Sequence, residues 1–404
     1  MTAPGGTRTP EPTAAGDSAA AEFRVLITVG CFEPGVRGGG PVRSVANIID
    51  TAPHHVVPTL VTRDRDLGTT EPYPELSGRW CRRGRSAIFY LNLRRPAHYR
   101  LLWQRLRRVH FDLLYVNGIW SVFSLLSILA LRLRLIRATA VLLAPRGECS
   151  VAALALNGAK KRAFLRLWRP MLRRLPLTWH ASTQAEGDDI RAVFPWARVI
   201  VQQNQTAAPG VVAQPDPGRP GAPARLVFIG RISPMKNLDL AIAALAEASR
   251  PVTFDIYGPM EDAAYWARCE ALRARLPAHV TVNYRGLLPH DDVAPTFARY
   301  DAFLFPTRGE NFGHVIAESL SACCPVICSD RTPWSAVFEA GGGRVVRPLT
   351  VAGLAQEIER VAGMSAQERH RARLAAGAAY RQWCQENRDG NVLSVFAAPD
   401  SLPS

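Results

Sequence analysis

Residues 303–330, FLFPTRGENFGHVIAESLSACCPVICSD, indicate the fold of the chain. The stretch begins with an apolar run at 303–305, closed by Pro306, which predicts a short buried strand. A polar loop, a segment with apolar residues at helical spacing and a second apolar run at 326–328 follow. Strand, loop, helix and strand form one βαβ unit. Its loop lies at the carboxyl end of a strand, where open parallel sheets bind ligands.

The same alternation of strands and helices runs through both halves of the chain. Apolar runs predict buried strands at 23–29, 55–62, 88–91, 112–116, 139–144, 179–182 and 197–202, then at 225–229, 252–257, 280–284 and 343–346. Helical patterns separate most of them. This order predicts an α/β fold with two doubly wound domains that face each other.

The length of 404 residues suits two domains better than one core. We expect a disordered tail at 1–22, an N-terminal domain at 23–205 and a linker at 206–224, where prolines and glycines replace apolar runs. The C-terminal domain is predicted at 225–365. Residues 366–404 are expected to form a helical segment that returns to the first domain, with a short tail.

Composition is that of a folded cytoplasmic protein, with 48% apolar and 21% charged residues. No run of eighteen apolar residues predicts a spanning helix, and residues 2–22 lack a signal-peptide pattern. The eight cysteines form no CxxC pair, so we expect buried reduced thiols rather than a metal site.

The net charge of +15 calls for an anionic partner: nucleic acid, membrane surface or phosphorylated substrate. The basic runs lack interleaved aromatic residues, which argues against nucleic acid. Residues 160–177 alternate basic and apolar side chains and predict an amphipathic helix. Peripheral contact with an anionic membrane and packing on the sheet both explain this pattern, and both stay open.

Two loops have the composition of phosphate sites. Gly38, Gly39 and Gly40 follow the first strand and precede a helix, an arrangement in which backbone N–H groups approach an anion. The dinucleotide-binding spacing is absent. Arg231 and Lys236 occupy the first strand-to-helix loop of the second half, where they either clamp a diphosphate or belong to a solvated loop, and both interpretations stay open here.

Glu310 and Glu318 bracket the start of the helix in the opening stretch. On one helix, residues eight apart are separated by ~12 Å along the axis. A glycosidase pair needs carboxyl groups within ~5–9.5 Å on opposite faces of one bond. The spacing therefore suits two hydroxyl-bearing ends of a folded nucleotide sugar, and Gly313 lets the backbone come close to phosphate oxygens.

Gly230-Arg231-x4-Lys236 followed by Glu310-x7-Glu318 resembles the signature of family 4 retaining glycosyltransferases. The resemblance extends to Gly39-Gly40-Pro41-x-Arg43-Ser44 and to His180-Ala-Ser182. It implies a GT-B fold, two Rossmann-like domains across a cleft. It also implies transfer of a sugar from a nucleotide-diphosphate sugar to a glycan or lipid-linked acceptor, with retained configuration and no metal or cofactor.

The resemblance also implies roles for individual residues. Arg231 and Lys236 would hold the donor diphosphate, Glu310 would contact sugar hydroxyls near the reacting carbon, and Glu318 would hold the ribose. We class Glu310, Arg231 and Lys236 as catalytic. Other donor contacts are expected at Gly39, Gly40, Gly258, Leu287, Asn311, Phe312, Gly313 and His314.

The chain departs from the family pattern at two positions. Arg146 lies where many members carry a histidine, and either a sugar or phosphate contact or a structural role explains it. Cys323 follows the helix that contains Glu318, where glycine is common. A left-handed cap would cost cysteine roughly 1 kcal/mol there, so we expect a different local turn.

Two alternatives remain at this stage. One is a GT-B nucleotide-sugar epimerase or hydrolase, and the other is a basic membrane-binding or nucleic-acid-binding protein without catalysis. The base and sugar of the donor, and the acceptor, are not specified by these residues.

Overall fold

The computed structural model describes residues 22–35, 37–150, 153–154, 158–203, 221–387 and 390–397. Most of the predicted tail and linker therefore lies outside the described residues. Within them, the chain forms two separate parallel-type sheets with helices packed on both. The predicted doubly wound α/β class is confirmed.

The first sheet has eight strands in the order β3-β4-β2-β1-β5-β6-β7-β8 within the described part of the chain. All neighbours are parallel except β3, which pairs antiparallel with β4. The strands are β1 (Phe23–Thr28), β2 (Val56–Arg63), β3 (Trp80–Arg83), β4 (Ser86–Leu91), β5 (His110–Asn117), β6 (Arg137–Ala144), β7 (Leu177–Ala181) and β8 (Val199–Val201).

Helices cover both faces of this sheet. They are α1 (Gly40–Asp50), α2 (Pro96–Leu106), α3 (Val122–Arg132), α4 (Gly158–Leu172) and α5 (Gln184–Val193). Buried residues of α2 to α5 share one core cluster, whereas those of α1 belong to another. The sequence did not predict β3 or α2, because both are basic and bury few side chains.

The second sheet has six parallel strands in the order β11-β10-β9-β12-β13-β14 within the described residues. They are β9 (Ala224–Ile229), β10 (Val252–Tyr257), β11 (Val280–Tyr284), β12 (Ala302–Phe305), β13 (Val326–Ser329) and β14 (Gly343–Val346). The chain adds β10 and β11 on one side of β9, then returns to place β12 on the other. The carboxyl ends of β9 and β12 thus border a switch point, where such sheets bind ligands.

The helices of the second domain connect these strands and continue beyond them. They are α6 (Leu238–Leu245), α7 (Ala263–Arg273), α8 (Val293–Phe297), α9 (His314–Ser321), α10 (Val351–Gly363) and α11 (Ala366–Glu386). The opening stretch of sequence is β12–α9–β13. Thr350 caps α10, because its hydroxyl accepts from the Gly353 N–H.

The C-terminal helices link the two domains. Helix α11 packs its buried residues, including Tyr380 and Trp383, into the core of the second domain. The last helix, α12 (Val392–Ala397), buries Val392, Leu393 and Phe396 in the core of the first domain. Beside it, Asn391 Nδ2 donates a 2.7 Å hydrogen bond to the Ile48 carbonyl oxygen.

The expectation of a different turn at Cys323 is wrong. Cys323 adopts φ 57°, the left-handed conformation usually taken by glycine. Its N–H donates to the Leu320 oxygen at 3.0 Å, and the Cys324 N–H donates to the Ser319 oxygen at 2.8 Å. These two bonds form a Schellman motif that satisfies the last carbonyls of α9, which offsets the backbone strain of cysteine.

The cysteines are all free thiols, and Cys323, Cys324 and Cys328 are buried as predicted. Among the described residues, no helix combines the length and the hydropathy needed to cross a bilayer.

Candidate functional site

A cleft of about 1290 Å³ lies between the two domains, at the carboxyl ends of both sheets. This volume exceeds the roughly 300–1,000 Å³ of most small-molecule sites. Every site residue predicted from the sequence lines it: Gly39, Gly40, Arg146, Arg231, Lys236, Gly258, Leu287, Glu310, Asn311, Phe312, Gly313, His314 and Glu318. The fold therefore brings residues 39 and 318, far apart in sequence, to one place.

Lys236 and Glu310 form an ion pair across the switch point of the second sheet. Lys236 follows β9 and Glu310 follows β12, and both side chains are only 12% exposed. Thr307 Oγ1 lies 3.3 Å from the same carboxylate oxygen, and the Lys236 Nζ lies 5.4 Å from the centre of the Phe305 ring. A mostly buried ammonium group and carboxylate are thus held together where a ligand would bind.

Glu318 lies in α9 and is buried, with 8% of its surface exposed. Its Oε1 pairs with Arg43 of the first domain and lies 3.9 Å from His290 Nδ1. Its Oε2 is buried and accepts no hydrogen bond from the described residues. Because an unsatisfied buried acceptor is costly, this oxygen favours a ligand that donates a hydrogen bond.

His314 joins the two walls of the cleft. A hydrogen bond of 2.8 Å connects its Nε2 to Ser44 Oγ. Burial, with smaller contributions from the nearby Arg43 and Arg146, lowers the pKa of His314 to about 3. The ring is therefore neutral near pH 7, and its single N–H is available for a neutral hydrogen-bond role.

Two helix N-termini open into the cleft. Gly313 (φ 83°) precedes α9 and Gly39 (φ 62°) precedes α1, and neither helix has a side-chain cap. A Cβ at Gly40 would lie 3.5 Å from His314 Cδ2, so the two walls are close here. Uncapped N–H groups and the helix dipoles favour an anion at this point.

The loops after β9 and β10 pack backbone against backbone. Gly258 has φ 138°, and a Cβ there would lie 1.9 Å from the Gly230 oxygen, so glycine is required. Arg231 is 47% exposed and donates to Glu261 at 3.1 Å. Leu287, 57% exposed, lies at the rim.

Phe312 and Asn311 complete the loop before α9. The Phe312 carbonyl accepts a 2.5 Å hydrogen bond from Trp334 Nε1, which fixes the loop to the aromatic cluster below it. Asn311 faces the other domain, because a Cβ at Gly147 would lie 3.4 Å from Asn311 Cβ.

Arg146 lies beside Gly147 and has a left-handed backbone, φ 58°. Its Nη2 donates to the Asn117 amide oxygen at 2.7 Å and to the Tyr115 hydroxyl at 2.9 Å. A non-glycine residue in this conformation is strained, and such strain concentrates at functional sites.

Sequence reasoning assigned no role to Arg43, Ser44, Tyr115 or Asn117. Arg43 and Ser44 stood in the quoted glycine loop, but their partners are 275 and 270 residues away. Asn117 ends β5, and its position at the carboxyl end of a parallel strand was the available signal.

The predicted amphipathic helix at 160–177 is shorter than expected. Helix α4 ends at Leu172, and Leu177 already begins β7. Leu165, Trp168 and Leu172 are buried in the first core, which confirms packing on the sheet for the apolar face.

Helix α3 instead leaves a row of apolar side chains on the surface. Val122, Leu125, Leu129 and Leu133 are 46%, 37%, 41% and 60% exposed at helical spacing. We call these four residues the α3 ridge.

Residues 213–379 match the family model described as Glycosyl transferases group 1. This match covers most of the second domain. Over 159 residues the chain is 30% identical to a glycogen synthase of Mycobacterium tuberculosis, covering 38% of this chain and 37% of that protein. It is 29% identical over 227 residues to a D-inositol 3-phosphate glycosyltransferase of Jonesia denitrificans, covering 52% and 50%. The chain thus matches half or less of the length of these curated relatives.

Solved structures with the same fold cover nearly the whole chain. The Anabaena protein HepE in complex with UDP and glucose superposes with a TM-score of 0.63 at 16% identity, covering 91% of this chain and 99% of that one. A sucrose-phosphate synthase from Thermosynechococcus elongatus gives 0.62 at 16% identity, covering 91% and 98%. The group 1 domain therefore belongs to a two-domain GT-B fold.

Among the described residues, no group of three or more His, Cys, Asp or Glu side chains is arranged to hold a metal ion. Metal independence stays a prediction of the resemblance.

Proposed function

We propose that this protein is a retaining glycosyltransferase that moves a sugar from a nucleotide-diphosphate sugar to a glycan or lipid-linked acceptor. The observation that carries the proposal is the inter-domain cleft, where Lys236, Glu310 and the unsatisfied Glu318 oxygen line one wall. Group 1 membership of the second domain supports the same reaction class.

The donor would lie along the carboxyl ends of β9 and β12. Its ribose hydroxyl would donate to Glu318 Oε2, and its base would lie near Gly258 and Leu287. Its diphosphate would meet Arg231, Lys236 and the uncapped start of α9. These cations would stabilise the negative charge that develops on the leaving nucleotide, where fixed electrostatics contribute most to rate.

The sugar would lie against Glu310 and the amides of residues 311–314. Because Lys236 pairs with Glu310, the diphosphate would compete for the same ammonium group. Donor binding would then leave the carboxylate to accept from sugar hydroxyls. Gly39 and Gly40 would complete the phosphate site from the opposite wall.

Release of nucleoside diphosphate tests the proposal against an epimerase or hydrolase. Purified protein is mixed with UDP-sugars and other nucleotide sugars, with and without a lipid extract as the acceptor source. A transferase releases nucleoside diphosphate mainly when acceptor is present, and NMR of the product should show the donor's anomeric configuration. Release that is independent of acceptor would indicate a hydrolase, and inversion would contradict the retaining mechanism.

We also propose a peripheral contact between the first domain and the anionic cytoplasmic surface of a membrane. The α3 ridge is flanked by exposed arginines at 132, 134 and 137. Helix α4 contacts the segment just before α3, since the Phe164 ring lies 5.2 Å from the ring of Trp120, and α4 exposes Leu167 at 81%. Apolar side chains ringed by cations are complementary to anionic lipid.

Vesicle sedimentation tests this contact. Wild-type protein should bind phosphatidylglycerol vesicles at low salt, and 0.5 M NaCl should weaken binding, because basic residues supply part of the attraction. The double variant Leu125→Glu/Leu129→Glu should reduce binding about tenfold, whereas Leu374→Glu, an equally exposed leucine on α11, should not. Absence of binding, or a dimer that the double variant dissociates, would refute the membrane contact.

A further inference from the structure

Arg146 is connected to a chain of buried polar groups in the first domain. Tyr115, Asn117 and His180 are 0%, 3% and 2% exposed. The Tyr115 hydroxyl lies 2.7 Å from His180 Nδ1, and His180 Nε2 lies 2.9 Å from the Gln202 carbonyl oxygen. This series of hydrogen bonds therefore runs from Gln202 at the end of β8, through His180 and Tyr115 in the sheet, to Arg146 at the cleft.

The direction of each hydrogen bond follows from chemistry. A carbonyl oxygen only accepts, so His180 Nε2 carries the hydrogen and Nδ1 accepts from the Tyr115 hydroxyl. The Tyr115 oxygen is then available to accept from Arg146 Nη2. Burial lowers the pKa of His180 to about 3, so this neutral tautomer persists at physiological pH. Each hydrogen bond from Gln202 through His180 and Tyr115 to Arg146 thus has one donor and one acceptor, whereas the buried Asn117 Nδ2 has no acceptor among the described residues.

The loop that contains Arg146 is also fixed by two carboxylates. Glu186 accepts from the Gly147 N–H at 2.7 Å, and Glu148 accepts from the N–H groups of Ile119 and Trp120. Glu148 thus holds the loops after β5 and β6 together, and Glu186 holds the second of these loops to the first turn of α5. The strained φ of Arg146 is maintained by this framework.

We propose that Tyr115, Asn117 and His180 are positioning residues that hold the Arg146 guanidinium toward the cleft, where it binds a phosphate oxyanion of a substrate. This inference rests on the proposed glycosyltransferase function. It goes beyond that function in assigning a held cation to the acceptor-side wall, together with the residues that orient it. Because Nε and Nη2 are held by Asn117 and Tyr115, the guanidinium loses less conformational entropy on binding a phosphate oxygen than a mobile arginine would.

The position of Arg146 gives the phosphate two sources. Arg146, Asn311 and His314 line the same cleft, and a Cβ at the neighbouring Gly147 would lie 3.4 Å from Asn311 Cβ, so the distal phosphate of a donor is one source. Arg146 also lies on the wall that would receive a phosphorylated acceptor, which is the other source. Both sources present the same oxyanion chemistry. The experiment separates them.

The test is a double-mutant cycle read out by titration calorimetry. UDP, or the nucleoside diphosphate that binds wild type best, is titrated into wild type, Arg146→Ala, Tyr115→Phe and the double variant. In a second arm, inorganic phosphate is titrated into each protein already saturated with the nucleoside diphosphate. Tyr99→Phe, which removes a tyrosine hydrogen bond to the Leu93 carbonyl outside the cleft, is the control.

We expect Arg146→Ala to weaken one arm at least tenfold and Tyr115→Phe to weaken the same arm about fivefold. In the Arg146→Ala background, Tyr115→Phe should have no further effect, because Tyr115 acts through Arg146. Arg146→Lys should bind with intermediate affinity. An effect on the first arm assigns the donor phosphate, and an effect on the second assigns a phosphate of the acceptor.

Unchanged affinity in both arms for Arg146→Ala would overturn the inference. So would a Tyr115→Phe variant with a lower melting temperature but wild-type affinities, which is the result of a purely structural role. The Lys236→Ala variant distinguishes failure of this inference from failure of the proposed function. If it loses nucleoside diphosphate binding while Arg146→Ala does not, only this inference fails; if wild type binds none, the proposed function fails with it.

Discussion

The cations of the cleft are held in two different ways, and Arg43 of the first wall, which pairs with Glu318 of the second, belongs with the charged pairs. In the second domain, Lys236 pairs with Glu310 and Arg231 pairs with Glu261. In the first domain, Arg146 donates to the neutral oxygens of Asn117 and Tyr115. Charged pairs in strand-end loops can be recognised from residue types alone. A cation held by neutral buried groups and a strained backbone is visible only in the folded chain.

The largest effect should come from the charged pair of the second wall. Lys236→Ala and Glu310→Gln should each lower kcat/KM by about 100-fold or more, because each removes a fixed charge from the reacting centre. Arg273→Ala, which breaks the exposed Arg273–Glu270 pair on α7, should change it less than about twofold. Near-normal turnover in both cleft variants would show that this wall is not catalytic.

Backbone packing in the second wall gives the next effect. Gly258→Ala should lower the free energy of unfolding by about 3 kcal/mol, because its Cβ would meet the Gly230 oxygen at 1.9 Å. Gly286→Ala shares a positive φ of 81° but has no atom within 4 Å of a Cβ, so it should cost about 1 kcal/mol. Urea unfolding measures both. Equal costs would contradict the close approach of the two loops.

Each domain contains a buried histidine, and these two residues make the free energy of unfolding depend on pH. The pKa of His180 and that of His314 are both lowered to about 3, whereas the unfolded chain titrates near 6.5. As the pH falls from about 6.5 toward 3, the unfolded state takes up protons that the folded state refuses. Stability should therefore fall by up to ~1.4 kcal/mol per pH unit for each histidine.

The variant His314→Gln tests this dependence, since its amide can keep the bond to Ser44. Chemical unfolding between pH 7 and pH 5 should show a shallower loss of stability than in wild type. His110→Gln, an exposed histidine on β5, is the control and should keep the wild-type slope. Identical slopes for wild type and His314→Gln would show that His314 is not held neutral.

The smallest effect concerns the turn after α9. Cys323→Gly should raise the free energy of unfolding by roughly 0.5 kcal/mol, because relief of left-handed strain exceeds the added flexibility of the unfolded chain. Cys324→Gly, next to it and fully buried, should lower stability instead. Thermal unfolding of the two variants shows whether each substitution raises or lowers the stability of the fold. A destabilised Cys323→Gly would mean that the buried thiol contributes more than the strain costs.

Sequence alone predicted the part of the fold that depends on local pattern. The strands β11 and β14, and the unit β12–α9–β13, lie within a residue or two of where their apolar runs placed them. The sequence did not predict strand β3, because this strand is basic and half exposed. The sequence did not predict the ion pair between Arg43 and Glu318, because no local pattern connects residues that are 275 positions apart.

Candidate site residues were predictable where family motifs and strand-end loops coincide, and all of them line one cleft. The Tyr115–His180 chain was not, because its members are ordinary strand residues whose hydrogen bonds depend on register between β5 and β7. The exposure of the α3 ridge was also not predicted, because an apolar helix between two strands is normally buried. The hydrogen bonds of Tyr115 and His180 and the exposure of the α3 ridge both depend on tertiary contacts, which local sequence patterns do not specify.

The most direct test of the central claim is ligand-dependent stability of the cleft. Wild type, Lys236→Ala and Glu318→Ala are heated with a panel of nucleoside diphosphates and their sugars, UDP-sugars first. Binding at 100 times Kd adds about 2.7 kcal/mol to the folded state, which is readily seen as a higher melting temperature. At least one nucleotide sugar should stabilise wild type and fail to stabilise either variant. No stabilisation by any member of the panel, or equal stabilisation of all three proteins, would contradict a nucleotide-sugar site between the two domains.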